Sequence, residues 1–157
     1  MKKIAFASVV ALAALSVNAA EVKPIENVYD LSTLTKQQIY TGARTWFAEN
    51  FVSAQDVIQM DDKEAGTIVG NGMVDYKCKG FGDCLLYPSA FIKFTIRIDT
   101  KDAKMRTSYS NVDIYDPKTG TAPLTAKQVA NIENQLVELS NQLANKVKTN
   151  QTVSSNW

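Results

Sequence analysis

Both cysteines of the chain, Cys78 and Cys84, lie in the segment KCKGFGDC. Such a pair can bind a metal, carry out redox chemistry or form a structural disulfide. A zinc site needs about four ligands, so two thiols in a chain without histidine are too few. A catalytic redox motif usually places two residues between its cysteines, whereas five separate these. Because Gly80 and Gly82 let the chain turn back, we predict a structural disulfide, with two free buried thiols as the alternative.

The absence of histidine excludes the common Ser-His, Cys-His and His-metal arrangements. Paired carboxylates, as in glycan hydrolysis, are the remaining route to general acid–base catalysis. Asp61, Asp62 and Glu64 form a close acidic group, but they fall in a predicted hairpin turn, where solvated acids are normal. A catalytic acid needs a buried or coupled setting. We therefore expect no enzyme activity, no cofactor and no metal, and a carboxylate-dependent cell-wall hydrolase is the less favoured alternative.

Residues 1–19 have the pattern of a secretory signal peptide. Lys2 and Lys3 follow the first methionine, residues 4–15 are almost all apolar, and small residues precede a cleavage point after Ala19. The alternative, a transmembrane anchor, requires about 20 apolar residues. No later segment is apolar enough to span a membrane, and the residue directly after the cleavage point is Ala20 rather than the cysteine that a lipid anchor would need. Since the short signal resembles bacterial ones, we predict export to the periplasm.

The predicted mature chain, residues 20–157, has almost balanced charge. It keeps 15 of the 17 basic residues against 16 acidic ones, because Lys2 and Lys3 belong to the signal peptide. A near-neutral chain has no broad field that would steer nucleic acid or an anionic membrane towards it. We therefore expect no nucleic-acid partner.

Two segments, LTKQQI and LTAKQV, carry a complete helix-start signal. In each, a threonine (Thr35 or Thr125) precedes a glutamine by three residues, which forms a capping box between flanking apolar residues. Apolar residues then recur on one helical face. They are Ile39, Ala43, Trp46 and Phe47 in the first helix, and Val129, Ile132, Leu136, Leu139 and Leu143 in the second.

Between and before the helices, the sequence predicts strands at 25–29, 56–60, 67–76, 91–99 and 104–115, with polar turns at 61–66 and 100–103. The segment FIKFTIRID (91–99) alternates strictly between apolar and polar residues, which indicates one buried and one wet face. A phase slip near Ser110-Asn111 predicts a bulge. Gly70-Asn71-Gly72 predicts a bulge or a close backbone approach, and the alternative of a phosphate-binding loop lacks the GK[ST] that would follow it.

This order predicts an α+β fold, in which one curved antiparallel sheet carries both helices on its apolar face. We expect a single domain over residues 20–148 and a flexible tail over 149–157. The apolar spacing of the second helix would also suit a coiled coil, but it runs for only about two heptads.

Three stretches carry a family resemblance: IYTGARTWFAENF (39–51), DDKEAGTIVGNG (61–72) and IRIDTKDAKMR (96–106). They resemble the domain of unknown function 4468 family of secreted bacterial proteins, which implies a TATA-binding-protein-like fold and no activity that can be transferred. The chain departs from the family pattern at Ala103, where the turn glycine would be, and at Met105, which replaces an aromatic residue. A loop closed by Cys78 and Cys84 is not a feature associated with the family.

The function hypothesis is a small periplasmic binding or interaction module that uses the exposed sheet face. That face is predicted to carry Lys93, Thr95, Arg97 and Asp99, with Arg106 and Tyr109 nearby. Its mixed charges suit an envelope protein or a cell-wall fragment. The alternatives are an ordinary solvated sheet face, a periplasmic immunity or inhibitor protein, and a structural protein that self-assembles through the second helix. The oligomeric state is left open.

Overall fold

A computed structural model describes residues 20–51, 57–121 and 123–154, so the predicted signal peptide lies outside the described residues. The strands are β1 (Ile25–Asp30), β2 (Ile58–Asp62), β3 (Thr67–Asp75), β4 (Phe91–Lys101), β5 (Lys104–Asp116) and β6 (Gly120–Thr121). The helices are α1 (Lys36–Asn50), α2 (Phe81–Leu86) and α3 (Ala126–Ser154).

The strands form one antiparallel sheet in the order β1-β5-β4-β3-β2, with β6 added beside β5. The two long helices, α1 and α3, contact each other and pack against the strands. Their apolar faces meet one face of the sheet in a continuous core, in which Phe47 and Leu136 lie with Ile96. The α+β fold predicted from the sequence, with both helices on one sheet face, is therefore confirmed.

The capping boxes begin both long helices where the sequence predicts them. The backbone N–H of Thr35 donates to Gln38 Oε1 at 2.9 Å, and the N–H of Thr125 donates to Gln128 Oε1 at 2.9 Å. Each threonine hydroxyl accepts in return from the glutamine backbone N–H. These bonds satisfy donors that the first helical turn leaves unpaired.

The glycine-rich stretch of β3 lies within a regular strand and not in a phosphate-binding loop. A Cβ added at Gly72 would lie 2.3 Å from the ring of Phe94, so the missing side chain leaves space for that ring. The close-approach interpretation of this stretch is therefore correct. The bulge predicted in β5 is also present, because the register with β4 shifts by one residue around Asn111, whose φ is +51°.

A buried hydroxyl network joins α3 to the sheet. Ser140, on the inner face of α3, lies 2.9 Å from both Thr107 Oγ1 and Tyr109 Oη on β5. All three residues are fully buried. Beside them, the hydroxyl of Tyr29 on β1 donates to Asn141 Oδ1 at 3.0 Å. The helix is therefore held at one position on the sheet by directional bonds as well as by apolar packing.

Several boundaries differ from the sequence predictions. Strand β2 continues to Asp62, because Asp61 and Asp62 pair with Ile68 and Thr67 and leave only residues 63–66 for the turn. Helix α3 continues to Ser154, past the predicted start of the tail, and residues 155–157 lie outside the described part. The short elements α2 and β6 were not predicted, since neither is long enough to show a hydrophobic period. None of the described helices is long and apolar enough to cross a membrane.

Candidate functional site

The sheet face opposite α1 and α3 is called the open face here, and strand β4 supplies its centre. Ile92, Ile96 and Ile98 of β4 are fully buried towards the helices. Because side chains alternate along a strand, the intervening residues point away from the helices. These are the predicted face residues Lys93, Thr95, Arg97 and Asp99, all exposed or half-buried.

The register of β5 against β4 adds Arg106 to this face. Asp99 lies directly opposite Arg106, and Arg97 lies two residues back along the same strand. Arg97 Nη2 is 2.8 Å from Asp99 Oδ1, and Arg106 Nη2 is 2.8 Å from Asp99 Oδ2. The hydroxyl of Thr67, from β3, also donates to Asp99 Oδ1 at 2.9 Å. We call these four residues the Asp99 cluster.

The electrostatics of the Asp99 cluster leave it with a positive charge. Partial burial acts to raise the pKa of Asp99, but hydrogen bonds from Arg97, Arg106 and Thr67 outweigh it and lower that pKa to about 2. The same bonds raise the pKa values of both guanidinium groups. One carboxylate therefore holds two arginines side by side, and each arginine side chain is 47% exposed. Guanidinium N–H groups that face water in this way can bind a further carboxylate in a bidentate manner.

A row of amide and hydroxyl groups continues the open face beyond the Asp99 cluster. The hydroxyl of Thr95 donates to Asn71 Oδ1 at 2.9 Å and accepts from Asn111 Nδ2 at 3.3 Å. Lys93 Nζ lies 3.6 Å from the centre of the Tyr115 ring, a cation–π contact. The face thus presents fixed donors and acceptors rather than loose side chains.

An open cleft of about 610 Å³ lies at this end of the face. It extends from the polar row to aromatic residues of the core. Its lining consists of Asn50, Phe51, Val57, Asn71, Gly72, Met73, Lys93, Phe94, Thr95 and Asn111.

The structure corrects the prediction for Tyr109. This residue is fully buried against Ser140 on the helix side of the sheet and does not belong to the open face. Arg106 and Tyr109 are three residues apart in a regular part of β5, so their side chains must point to opposite faces. Burial also raises the pKa of the Tyr109 phenol above its usual value.

The acidic group at 61–64 differs from its prediction as well. Asp61 lies in β2, where it accepts hydrogen bonds from the Tyr40 hydroxyl and from Arg44 Nε of helix α1. Partial burial acts to raise the pKa of Asp61, but these two bonds outweigh it and lower that pKa. A carboxylate held in its ionised form in this way is the opposite of a general acid.

Sequence reasoning missed a second surface, which we call the stapled tip (residues 77–89). The sulfur atoms of Cys78 and Cys84 lie 2.03 Å apart, the separation of a disulfide bond, as predicted. Helix α2 lies within this segment and leaves three large apolar side chains in water. Phe81 is 86% exposed, Leu85 68% and Leu86 70%. The signal was present in the sequence as apolar residues inside a glycine-rich loop, but it has no strand or helix period.

The comparisons agree with the fold just described. A structure described as a TBP-like protein from Parabacteroides distasonis aligns over 80% of this chain and 92% of its own, with a TM-score of 0.61 and 13% identity. A structure of a DUF4468 family protein from Bacteroides ovatus aligns over 85% of this chain and 90% of its own, with a TM-score of 0.53 and 15% identity. At such identities the likeness concerns the fold alone.

The class is therefore an α+β protein with a TBP-like fold. The family model described as a domain of unknown function (DUF4468) with TBP-like fold matches residues 26–115, and the chain belongs to this family. A comparison with curated proteins found no match. The family resemblance predicted from the sequence is confirmed, and like the fold it assigns no activity.

Proposed function

We propose that this chain is an exported periplasmic binding module, and that the open face captures a partner which carries carboxylate groups. The observation that carries the proposal is the Asp99 cluster, where one aspartate fixes Arg97 and Arg106 next to each other and leaves a net positive charge. Two oriented guanidinium groups match the planar, bidentate geometry of a carboxylate. Export rests on the predicted signal peptide.

The rest of the open face supports a partner with a mixed surface. The polar row around Thr95 supplies both donors and acceptors, and exposed apolar side chains of Val28, Met60 and Met73 lie on the same side of the sheet. Interfaces typically combine apolar contacts with fixed hydrogen bonds in this way. Acidic residues such as Asp99 and Glu26 make the face unsuitable for a uniformly anionic polymer. A protein or a peptide-bearing cell-wall fragment fits better.

An inhibitor or immunity protein would be a special case of this proposal, in which the captured partner is an enzyme. No catalytic role is proposed for the chain itself. The lowered pKa of Asp61 supports this view, because a general acid needs a raised pKa.

The test compares two charge reversals of arginines that each pair with an aspartate. Arg97→Glu changes the open face, whereas Arg44→Glu changes the outer surface of α1, where Arg44 Nε is 2.8 Å from Asp61 Oδ2. The wild type and both variants are exposed to envelope extract and to soluble cell-wall fragments with free carboxylates. We expect a partner that wild type and Arg44→Glu retain and that Arg97→Glu loses by tenfold or more. Equal retention by both variants would reject the open face as the binding site.

A further inference from the structure

Among the residues that the structure describes, the stapled tip holds the three most exposed large apolar side chains. Phe81, Leu85 and Leu86 are 68–86% exposed, whereas Val28, Met60 and Met73 are 46–65% exposed. Large apolar side chains in water are unfavourable, and a cluster of them marks an interaction site. Phe81 and Leu85 are four residues apart in α2 and therefore lie on the same side of it.

This exposure is not the result of a loose loop. Inside the tip, Asp83 accepts hydrogen bonds from the Tyr76 hydroxyl at 2.8 Å, from the Lys79 backbone at 2.8 Å and from Gln128 Nε2 at 3.1 Å. The backbone of Lys77 exchanges two hydrogen bonds with the side-chain amide of Gln135 on α3, at 2.9 and 3.1 Å. Together with the disulfide, these bonds fix the tip to α3 and keep its apolar side chains outside the core.

The backbone on either side of Phe81 faces open space. A Cβ added at Gly80 or at Gly82, on either side of Phe81, would have no heavy atom within 4 Å. Open space on both sides of Phe81 therefore leaves its ring free to enter a soft surface such as a lipid headgroup layer.

The exposed charged side chains of the tip are both positive. Lys77 and Lys79 are exposed at the base of the tip. Asp83 is the only acidic residue within residues 77–89, and its two oxygens are occupied by donors from the protein. An exposed apolar cluster beside two lysines is complementary to an anionic lipid surface. The apolar groups can enter the acyl boundary while the lysines meet the headgroups.

We propose that the stapled tip is a peripheral membrane anchor, which inserts Phe81, Leu85 and Leu86 into an anionic bilayer surface. The near-neutral charge of the whole chain does not oppose this, because the attraction is local and acts within about one Debye length. The inference does not rest on the function proposed for the open face. The tip is bonded to α3, which packs on the side of the sheet opposite the open face.

The test is flotation of the chain from Ala20, where the described fold begins, with vesicles of phosphatidylethanolamine and phosphatidylglycerol (3:1) or of phosphatidylcholine alone. We expect preferential binding to the anionic vesicles. Replacing Phe81, Leu85 and Leu86 by serine should weaken binding about 100-fold or more, since each loses a buried side chain. Replacing Lys77 and Lys79 by glutamine should weaken binding to the anionic vesicles about 25-fold.

Three controls keep the result specific. Met60→Ser/Met73→Ser removes apolar surface from the open face and should bind vesicles as the wild type does. The triple serine variant should keep the wild-type melting temperature, because its side chains are exposed. The Arg97→Glu variant should still float, which separates this proposal from that for the open face.

Absence of wild-type binding to anionic vesicles would overturn the proposal, as would equal binding by the triple serine variant. Self-association that the triple variant abolishes, without vesicle binding, would instead assign the tip to a second copy of the chain. Capture of a protein through the tip, again without vesicle binding, would equally reject the membrane anchor.

Discussion

Two aspartates organise the two surfaces of this protein, and they act in opposite surroundings. Asp99 on the open face collects Thr67, Arg97 and Arg106, and the two arginines keep half of their surface in water. Asp83 in the stapled tip accepts hydrogen bonds from the buried side chains of Tyr76 and Gln128 and from the backbone N–H of Lys79. The first carboxylate orients groups that remain available to a partner, whereas the second uses up its bonding capacity in fixing the tip.

The difference separates two tasks that a small domain can combine. The open face has charged and polar groups in fixed positions, which favours selective binding through electrostatic complementarity. The tip holds apolar groups on a segment with a fixed conformation. This favours association through burial of apolar surface with little loss of conformational entropy.

The largest effect is expected from removing the disulfide. Cys78→Ser/Cys84→Ser should lower the free energy of unfolding by about 2 kcal/mol, the chain-entropy value for so short a loop. Urea denaturation measures the change, and the wild type under reducing conditions is the control. Hydrogen exchange should accelerate at the amides of positions 84 and 87, which bond within the tip, and stay slow in β4. Faster exchange throughout β4 would show that the two surfaces are not independent.

The two aspartates should differ in their contribution to stability. Asp83→Ala should cost about 1.5 kcal/mol, because it leaves the buried Tyr76 and Gln128 without an acceptor. Asp99→Ala should cost less than about 1 kcal/mol, since exposed arginines regain water. Thermal or urea denaturation measures both, with the exposed Asp75→Ala as control. Equal losses of stability in Asp83→Ala and Asp99→Ala would contradict the proposed difference between the two aspartates.

The turns that shape the two surfaces should respond to substitution with opposite sign. Ala103, in the turn that sets Asp99 opposite Arg106, has a φ of +63°, and Gly80 of the tip has a φ of +88°. Ala103→Gly should stabilise the protein by about 0.5–1 kcal/mol, because a left-handed conformation is strained for a residue with a Cβ. Gly80→Ala should destabilise it by about 1 kcal/mol for the same reason. Melting temperatures measured side by side would reject this account if both shifts had the same sign.

The smallest effects are expected from changes in pH. Acid affects the open face through Asp99, and alkali affects the stapled tip through Tyr76. The pKa of Asp99 is lowered to about 2, so its contribution to stability is present near neutral pH and is lost as the pH falls from about 5 to 2. Water screens this contribution, and we expect less than about 1 kcal/mol. Burial, followed by the bond and charge of Asp83, raises the pKa of Tyr76 to about 12 although Asn131 opposes it. Stability that depends on Tyr76 is therefore lost above pH 10.

Stability measured against pH in Asp99→Asn and Tyr76→Phe separates these two contributions. Asp99→Asn should flatten only the acid limb, and Tyr76→Phe should flatten part of the alkaline limb. Tyr40 also has a pKa raised to about 12, by burial and by its bond to Asp61, so the alkaline limb should not vanish. An acid limb unchanged in Asp99→Asn would contradict the lowered pKa.

Much of the fold, and the charged residues of the open face, can be predicted from local patterns in the sequence. Strict alternation places Arg97 and Asp99 on the wet face, and capping boxes place the starts of α1 and α3. The same parity, applied between Arg106 and Tyr109, assigns Tyr109 to the core, so that error was avoidable. The partners of Asp61 were not predictable, because Tyr40 and Arg44 lie 21 and 17 residues away and meet it only through packing.

The stapled tip escaped prediction for a physical reason. Helix α2 has six residues and contains Gly82 and Cys84, so it shows neither a period nor strong helix propensity. Its stability comes from the disulfide and from bonds to Gln128 and Gln135, which are more than forty residues away in the sequence. Local reasoning correctly predicts that Cys78 and Cys84 pair, but it does not predict what the closed loop presents.

The hydroxyl of Ser140 helps to fix the position of the stapled tip, although Ser140 does not belong to the tip. If α3 slid along the sheet by one turn, about 5.4 Å, Ser140 would face hydrocarbon and the hydroxyls of Thr107 and Tyr109 would lose their partner. Gln128 and Gln135, which form hydrogen bonds with the tip, lie on the same helix and would move with it. The position of Phe81 relative to the sheet therefore depends on Ser140, which lies in the middle of the core, several turns of α3 away from the tip.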